Sequence, residues 1–239
     1  MSPRSLQTAV LLSGLIAVSP AIGCGSETAG TTDAVDAAPP TVTIEGASRF
    51  PDTGLRDWIS FADHVVVFTV ASDREDMDAT AEELAAQEYV IGREATLAIE
   101  RRLWSAPNAP KLPSTITMDV KGWAVADGQR RAMVADGEPR LEVGQRYVAP
   151  LLLMDDRSPA DWWPMTVGSM LELQSDRVKR PLTDAPESAQ QLADRSIGEV
   201  VSTVARQPPD PIAQRNRDLR PWKRVQKVLE ARAEEARPE

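Results

Sequence analysis

Short stretches in which apolar residues alternate with polar ones recur between residues 41 and 174, and this pattern predicts β-strands. The clearest stretch is STITMDVKG (114–122), in which Ile116, Met118 and Val120 share one face. A second kind, DHVVVFTVAS (63–72), is apolar at nearly every position, as in a strand that is buried on both faces. The predicted strands cover residues 41–45, 63–72, 95–104, 114–122, 146–154 and 165–174.

Two segments modify this β pattern. Pro150 lies inside the predicted strand RYVAPLLLM and has no N–H group to donate, so we expect this strand at a sheet edge or with a bulge. The segment DMDATAEELAAQEYV (76–90) is rich in Ala, Glu and Leu, which favours a short helix or another ordered excursion between strands.

The last part of the chain has the spacing of helices. Apolar residues recur at helical intervals in 188–206, and in 220–237 a stripe follows Pro221: Trp222, Val225, Leu229 and Ala233. The predicted class is mainly β with α appendages (α+β). We expect a five- to six-stranded antiparallel barrel of the OB type, or a sandwich, over residues 41–185. A helical C-terminal extension of two helices follows over residues 186–239.

The N-terminus has the layout of an export signal. Arg4 precedes an apolar run from Thr8 to Ile22, which is shorter than the roughly 20 residues that a membrane-spanning helix needs. The run ends at Cys24, the one cysteine of the chain, so no intramolecular disulfide can form. Residues 24–40 are small, polar and acidic and end in a proline pair, which is typical of a flexible tether.

The residues Ala21-Ile22-Gly23-Cys24 resemble the lipobox of bacterial lipoproteins. The resemblance implies that residues 1–23 are a lipoprotein signal peptide and that Cys24 is acylated and becomes the mature N-terminus. It also implies a protein of the bacterial cell envelope, anchored by lipid (such as palmitate) on the extracytoplasmic side of a membrane. The alternative is a soluble exported protein with Cys24 as a free thiol. Which membrane would carry the anchor is open.

Three motifs in the β region resemble those of exported barrel domains related to the netrin and tissue-inhibitor module. They are Ala62-Asp63 with Val65-Val66, Thr96 with Arg102-Leu103-Trp104, and Gly144 with Arg146-Tyr147-Val148. The resemblance implies an OB-like fold. The paired cysteines of the inhibitor modules are missing here, so their inhibitory chemistry is not carried over.

Composition excludes several functions. The formal net charge of −9 argues against nucleic acid as a partner, because nucleic-acid-binding proteins use a basic face. His64 is the one histidine, so a zinc site with several histidines is impossible, and we predict no metal, cofactor or catalytic residue. The acidic segment 73–83 lacks the glycine and terminal glutamate of an EF-hand. A solvated charged surface is the favoured interpretation of this segment, with calcium binding as the alternative.

Two surfaces are candidates for binding. Asp161, Trp162 and Trp163 lie in a loop that enters a strand, where adjacent tryptophans point to opposite faces and either line a binding rim or cover the open end of a barrel. Basic residues cluster in an otherwise acidic chain at Arg220, Lys223, Arg224 and Lys227. This candidate basic docking helix would contact anionic lipid or an acidic partner, or pack on the chain's own acidic body.

These observations predict a membrane-tethered exported lipoprotein that acts as a non-catalytic binding module. Its expected partners are the membrane, through the N-terminal lipid, and an envelope protein or a glycan. The alternative is an envelope hydrolase that acts on carbohydrate or peptide through carboxylates, whose spatial pairing cannot be read from sequence.

Overall fold

The computed structural model describes residues 41–44, 50–135, 139–155, 161–181 and 185–235. These residues belong to one compact unit, Pro39–Glu239. They form nine strands and six α-helices, so the prediction of a mainly β chain with α-helices is confirmed. The predicted signal peptide, Cys24 and the predicted tether lie outside the described residues.

The strands are β1 (Thr41–Ile44), β2 (His64–Met77), β3 (Tyr89–Ser105), β4 (Thr115–Ala126), β5 (Gln129–Ala135), β6 (Arg146–Asp155), β7 (Asp161–Pro164), β8 (Leu171–Gln174) and β9 (Arg177–Val178). The helices are α1 (Leu55–Phe61), α2 (Ala81–Ala86), α3 (Glu187–Leu192), α4 (Ile197–Ala205), α5 (Pro211–Arg215) and α6 (Pro221–Glu235). The strand order is β1-β5-β4-β3-β2-β6-β8-β9, and β7 also pairs with β6. The β1–β5 pair is parallel and the other pairs are antiparallel.

The predicted number of five or six strands is wrong, because the described residues contain nine. Strand β5 was missed because QRRAMVA begins with three polar residues, and β7 and β9 are too short to show a period. The sheet is mixed rather than purely antiparallel, and the pairing of the described strands ends at β1 and β9 without joining them. The predicted strand 165–174 is only half strand, because a 3₁₀ turn at Val167–Ser169 precedes β8.

The expectation for Pro150 is also wrong, since β6 is not an edge strand and pairs with β2 without a bulge. Met165 donates its N–H to the Pro150 carbonyl at 2.9 Å, so the backbone of Pro150 faces away from β2. On that side, β8 pairs with β6 as far as Val148 and β7 pairs from Leu151 onward. Proline therefore lies where the neighbouring strand changes, and its missing N–H costs no ladder bond.

Four helices, rather than the predicted two, follow residue 186 in the range described up to residue 235. The predicted helix 188–206 is divided because Asp194 adopts a left-handed backbone (φ 60°) between α3 and α4. Ser196 then starts α4 with a capping box, in which its hydroxyl and the Glu199 carboxylate satisfy each other's backbone N–H groups. The Asp210 carboxylate caps the short helix α5 by accepting the backbone N–H groups of Ile212 and Ala213, and Pro211 is the first residue of this helix.

The central strands β2 and β6 bury both faces, as the apolar run of β2 predicts. One face, with Val65, Val67 and Leu152, packs against α1, α3, α4 and α6. The other face contributes Phe68 and Tyr147 to a second core. The helices after residue 186 therefore share a hydrophobic core with the sheet. None of the helices within the described ranges is both long and apolar enough to cross a bilayer.

Candidate functional site

A cavity of about 330 Å³ lies between the sheet and the chain that leads into α6. The sheet side consists of Asp63, directly before β2, and of Leu153 and Met154 of β6. The loop 107–110, which follows β3, forms another wall. The C-terminal side consists of residues 217–221 and Arg224, so the cavity joins segments that are more than 150 positions apart in sequence.

Asp63 and Arg224 form a buried ion pair at this cavity. Arg224 Nη2 donates to Asp63 Oδ1 at 3.1 Å, and the two residues are only 1% and 6% exposed. The other oxygen of the carboxylate, Oδ2, accepts the backbone N–H of Leu153 at 2.9 Å. Both oxygens of Asp63 are thus engaged by protein donors, which fixes the carboxylate at the junction of α1 and β2.

The guanidinium of Arg224 is incompletely satisfied. Its Nε and Nη1 are buried and have no hydrogen-bond partner in the part of the chain that the structure describes. Burial lowers the pKa of Arg224, and the neighbouring Asp63 carboxylate opposes that shift. Buried polar groups in folded proteins almost always have partners, so two unpartnered nitrogens on one cationic side chain need an explanation.

Arg217 connects the same cavity to the end of α1. Its Nη1 donates to the carbonyls of Ile59 (3.1 Å) and Ser60 (2.8 Å), and its Nη2 donates to the carbonyl of Ala62. These carbonyls belong to the last turn of the helix and to its C-cap, where the helix has no further backbone N–H group to donate to them. Burial and, to a smaller extent, the nearby charge of Arg224 together lower the pKa of Arg217 to about 10.

His64 holds one wall of the cavity through the loop after β3. The ring is 1% exposed, and its Nε2 lies 2.8 Å from the carbonyl oxygen of Pro110. A carbonyl only accepts hydrogen bonds, so Nε2 carries the proton and Nδ1 accepts from the Ser105 hydroxyl at 2.9 Å. Burial lowers the pKa of His64, so the imidazole is neutral near pH 7.

This burial predicts a pH-dependent stability. The unfolded chain protonates His64 near its ordinary pKa of 6.5, whereas the folded chain protonates it only at lower pH. The free energy of unfolding should therefore fall as the pH falls through about 6.5, because the unfolded state binds the additional proton. Denaturant unfolding of the wild-type chain and of His64→Gln between about pH 7 and pH 5 measures how much His64 contributes to this pH dependence. Equal pH slopes in the two proteins would contradict it.

The three residues of the predicted rim have different environments. Trp162 is 1% exposed and belongs to the second core, with its ring centre 5.5 Å from that of His64. Trp162 therefore does not lie on an exposed rim. Trp163, in contrast, is 41% exposed, and its indole N–H donates to the exposed Asp161. Neither Trp163 nor Asp161 lines the cavity.

The basic residues of α6 do not form one charged face. Arg224 is buried with Pro221, Val225 and Val228, whereas Trp222 and Leu229 of the predicted apolar stripe are exposed. The remaining basic residues are at the surface: Lys223 lies 4.1 Å from the centre of the Trp222 ring, Lys227 pairs with Glu230 at 2.8 Å, and Arg220 lines the cavity. Helix α6 thus packs on its own sheet through an arginine that the sequence pattern placed with the surface charges.

The acidic segment 73–83 covers the end of β2 and the start of α2, and arginines pair with two of its carboxylates. Asp73 accepts from Arg93 Nε at 2.7 Å, and Glu75 pairs with Arg130. The guanidinium carbons of Arg130 and Arg140 lie 4.1 and 4.3 Å from the Trp123 ring centre, which extends this charged network across β4 and β5. The described residues contain no group of three or more His, Cys, Asp or Glu placed to hold a metal ion.

A carboxyl group with a raised pKa lies elsewhere, at Asp52. Burial is the main cause of the shift, and donation from Trp58 Nε1 (3.2 Å) and Thr166 Oγ1 (2.9 Å) partly opposes it. Asp52 does not line the cavity, whose carboxylates among the described residues are Asp63 and Asp218. The bonds of Asp52 tie the segment before α1 to the loop after β7, which is a structural role.

Sequence reasoning missed the ion pair because 161 residues separate its members. A signal was nevertheless present, since Pro221, Arg224, Val225 and Val228 recur at the spacing of one helical face. An arginine among apolar residues on one face indicates a buried charge that needs a partner. Comparison with protein-family models, curated proteins and solved structures finds no match to this chain.

Proposed function

We propose that this chain is an exported lipoprotein, anchored through Cys24, whose folded body is a non-catalytic module that binds a ligand in the cavity at Asp63 and Arg224. The observation that carries the binding proposal is the buried guanidinium of Arg224, two nitrogens of which have no described partner, beside a 330 Å³ cavity. Ligand sites combine such concave surfaces with a few fixed polar groups.

The anchor part of the proposal rests on the sequence around Cys24. The described body begins at β1, immediately after the predicted tether, and β1 lies at one end of the strand order. The proposed arrangement is therefore a lipid at Cys24, a tether to residue 40 and a binding domain. Support for an OB-like plan of this domain comes from the second core around Phe68, Tyr147 and Trp162, to which β2, β6 and β7 each contribute.

The hydrolase alternative has less support at this cavity. A pair of carboxylates that catalyses hydrolysis needs one free to donate a proton and one free to act as base or nucleophile. Both oxygens of Asp63 accept hydrogen bonds from the protein, and Asp218 is exposed at the other side of the cavity. The geometry favours holding a ligand rather than transferring protons to it.

Native mass spectrometry of the chain extracted from its own host's membranes tests the binding proposal. We expect a non-covalent adduct that is lost on denaturation. Ala109→Trp places an indole in the cavity wall and should remove the adduct, whereas Ala81→Trp, on the exposed surface of α2, should keep it. No adduct in the wild-type chain, or an adduct that survives in Ala109→Trp, would contradict the proposal.

A further inference from the structure

We propose that the cavity binds the oxyanion group of a small molecule, a carboxylate or a phosphate, through Arg224. This inference rests on the proposed function and specifies the chemical class of the ligand. Its basis is an imbalance between donors and acceptors at the cavity, where a buried cation has more hydrogen-bond donors than the described residues satisfy.

The imbalance is measured by the contacts of Arg224. A guanidinium has five N–H donors and no acceptor, and here one nitrogen, Nη2, reaches a carboxylate. Nε and Nη1 remain without a described partner, and the residue is 1% exposed. Leaving such donors unmet is costly in a buried site, so an acceptor that enters the cavity would be stabilised by them.

The charges around the cavity favour an anion as that acceptor. Two guanidiniums, those of Arg217 and Arg224, lie close enough for the charge of one to lower the pKa of the other. Asp63 is the buried carboxylate opposite them. One buried carboxylate therefore faces one buried and one half-buried guanidinium, and a further anion would complete the charge balance.

The N-terminus of α6 adds to the positive electrostatic potential at the cavity. Pro221 and Arg224 belong to the first turn of this 15-residue helix and both line the cavity. The first turn contains no acidic residue, so its partial positive charge is not offset within the helix. Carboxylate and phosphate groups are the anions that arginine and helix N-termini bind best.

The test is an NMR titration of the full folded chain in which the Nε–H resonance of Arg224 is followed. Sodium phosphate and sodium acetate are the two probes, with sodium chloride at equal ionic strength as the reference. We expect a saturable shift with at least one oxyanion and none with chloride. The stronger of the two probes identifies the group as a phosphate or a carboxylate.

A matched pair of charge variants locates the effect. Asn108→Asp adds a negative charge at the exposed lip of the cavity without a change of shape, and Asn108 has the left-handed backbone (φ 58°) that Asp also tolerates. It should weaken oxyanion binding by about fivefold or more. Gln129→Glu makes the same charge change on β5, away from the cavity, and should leave the affinity unchanged.

The inference is overturned if the Arg224 resonance shifts no more with phosphate or acetate than with chloride, or if Asn108→Asp and Gln129→Glu behave alike. That failure is separable from failure of the proposed function. An adduct that Ala109→Trp removes, together with no oxyanion response, would keep the ligand site and reject only its chemical class. Absence of both the adduct and the response would reject both.

Discussion

Replacing Asp63 with asparagine should lower the free energy of unfolding by about 3–5 kcal/mol, because it leaves the buried charge of Arg224 without a counter-charge. Asparagine keeps the shape of the side chain and an acceptor for the Leu153 N–H, so the loss reports chiefly on the ion pair. Denaturant unfolding at constant pH measures it. Asp218→Asn, an exposed carboxylate at the same cavity, is the control and should change stability by less than about 0.5 kcal/mol.

A double variant measures the interaction between Asp63 and Arg224 apart from the contacts that each residue makes with the rest of the protein. Arg224→Met alone removes the cation and leaves the carboxylate of Asp63 buried, so it should also be strongly destabilising. The combination of Asp63→Asn with Arg224→Met contains no unpaired charge and should recover a large part of the loss. Additive losses in the double variant, or a loss below about 1 kcal/mol for Asp63→Asn, would contradict a buried coupled pair.

Trp162→Ala should lower the free energy of unfolding by about 3–5 kcal/mol, the cost of removing a large buried aromatic side chain. Trp162 lies in the second core with Phe68 and Tyr147 and is 1% exposed. The adjacent Trp163 is 41% exposed, so Trp163→Ala should cost less than about 1 kcal/mol. The same unfolding measurement applied to both variants compares two neighbours in one strand.

A conservative variant makes this prediction sharper. The indole nitrogen of Trp162 is buried and has no hydrogen-bond partner among the described residues, so no hydrogen bond is lost in Trp162→Phe. We expect that variant to recover most of the stability, because it keeps most of the apolar volume. Similar losses for Trp162→Ala and Trp163→Ala would show that Trp162 is not part of the core.

The elements with a clear period were predictable from sequence. The alternation of β4, the continuous apolar run of β2 and the helix α6 all follow from side-chain patterning. Strand β5 was not predictable in this way, because its exposed Arg130 is held by contacts with Trp123 and Glu75 that depend on the folded sheet. The break between α3 and α4 was readable in the Ser196–Glu199 capping box.

The cavity was harder to predict than the fold. Its walls come from the start of β2, the loop after β3, the end of β6 and the chain before α6, and sequence periodicity does not report which strand ends meet. The basic cluster at residues 220–227 was visible, but its members divide between the core and the surface. What distinguishes Arg224 from Lys223 is its position among Pro221, Val225 and Val228 on the buried face of α6.

The central proposal is that the folded domain binds a ligand and is attached to a membrane outside the cytosol through Cys24. Denaturing intact-mass analysis of the chain extracted from its host's membranes tests that claim most directly, together with release of the acyl groups by base. The account predicts a chain that lacks residues 1–23 and carries acyl groups on Cys24. A chain that retains residues 1–23, or one with a free thiol at Cys24, would contradict it.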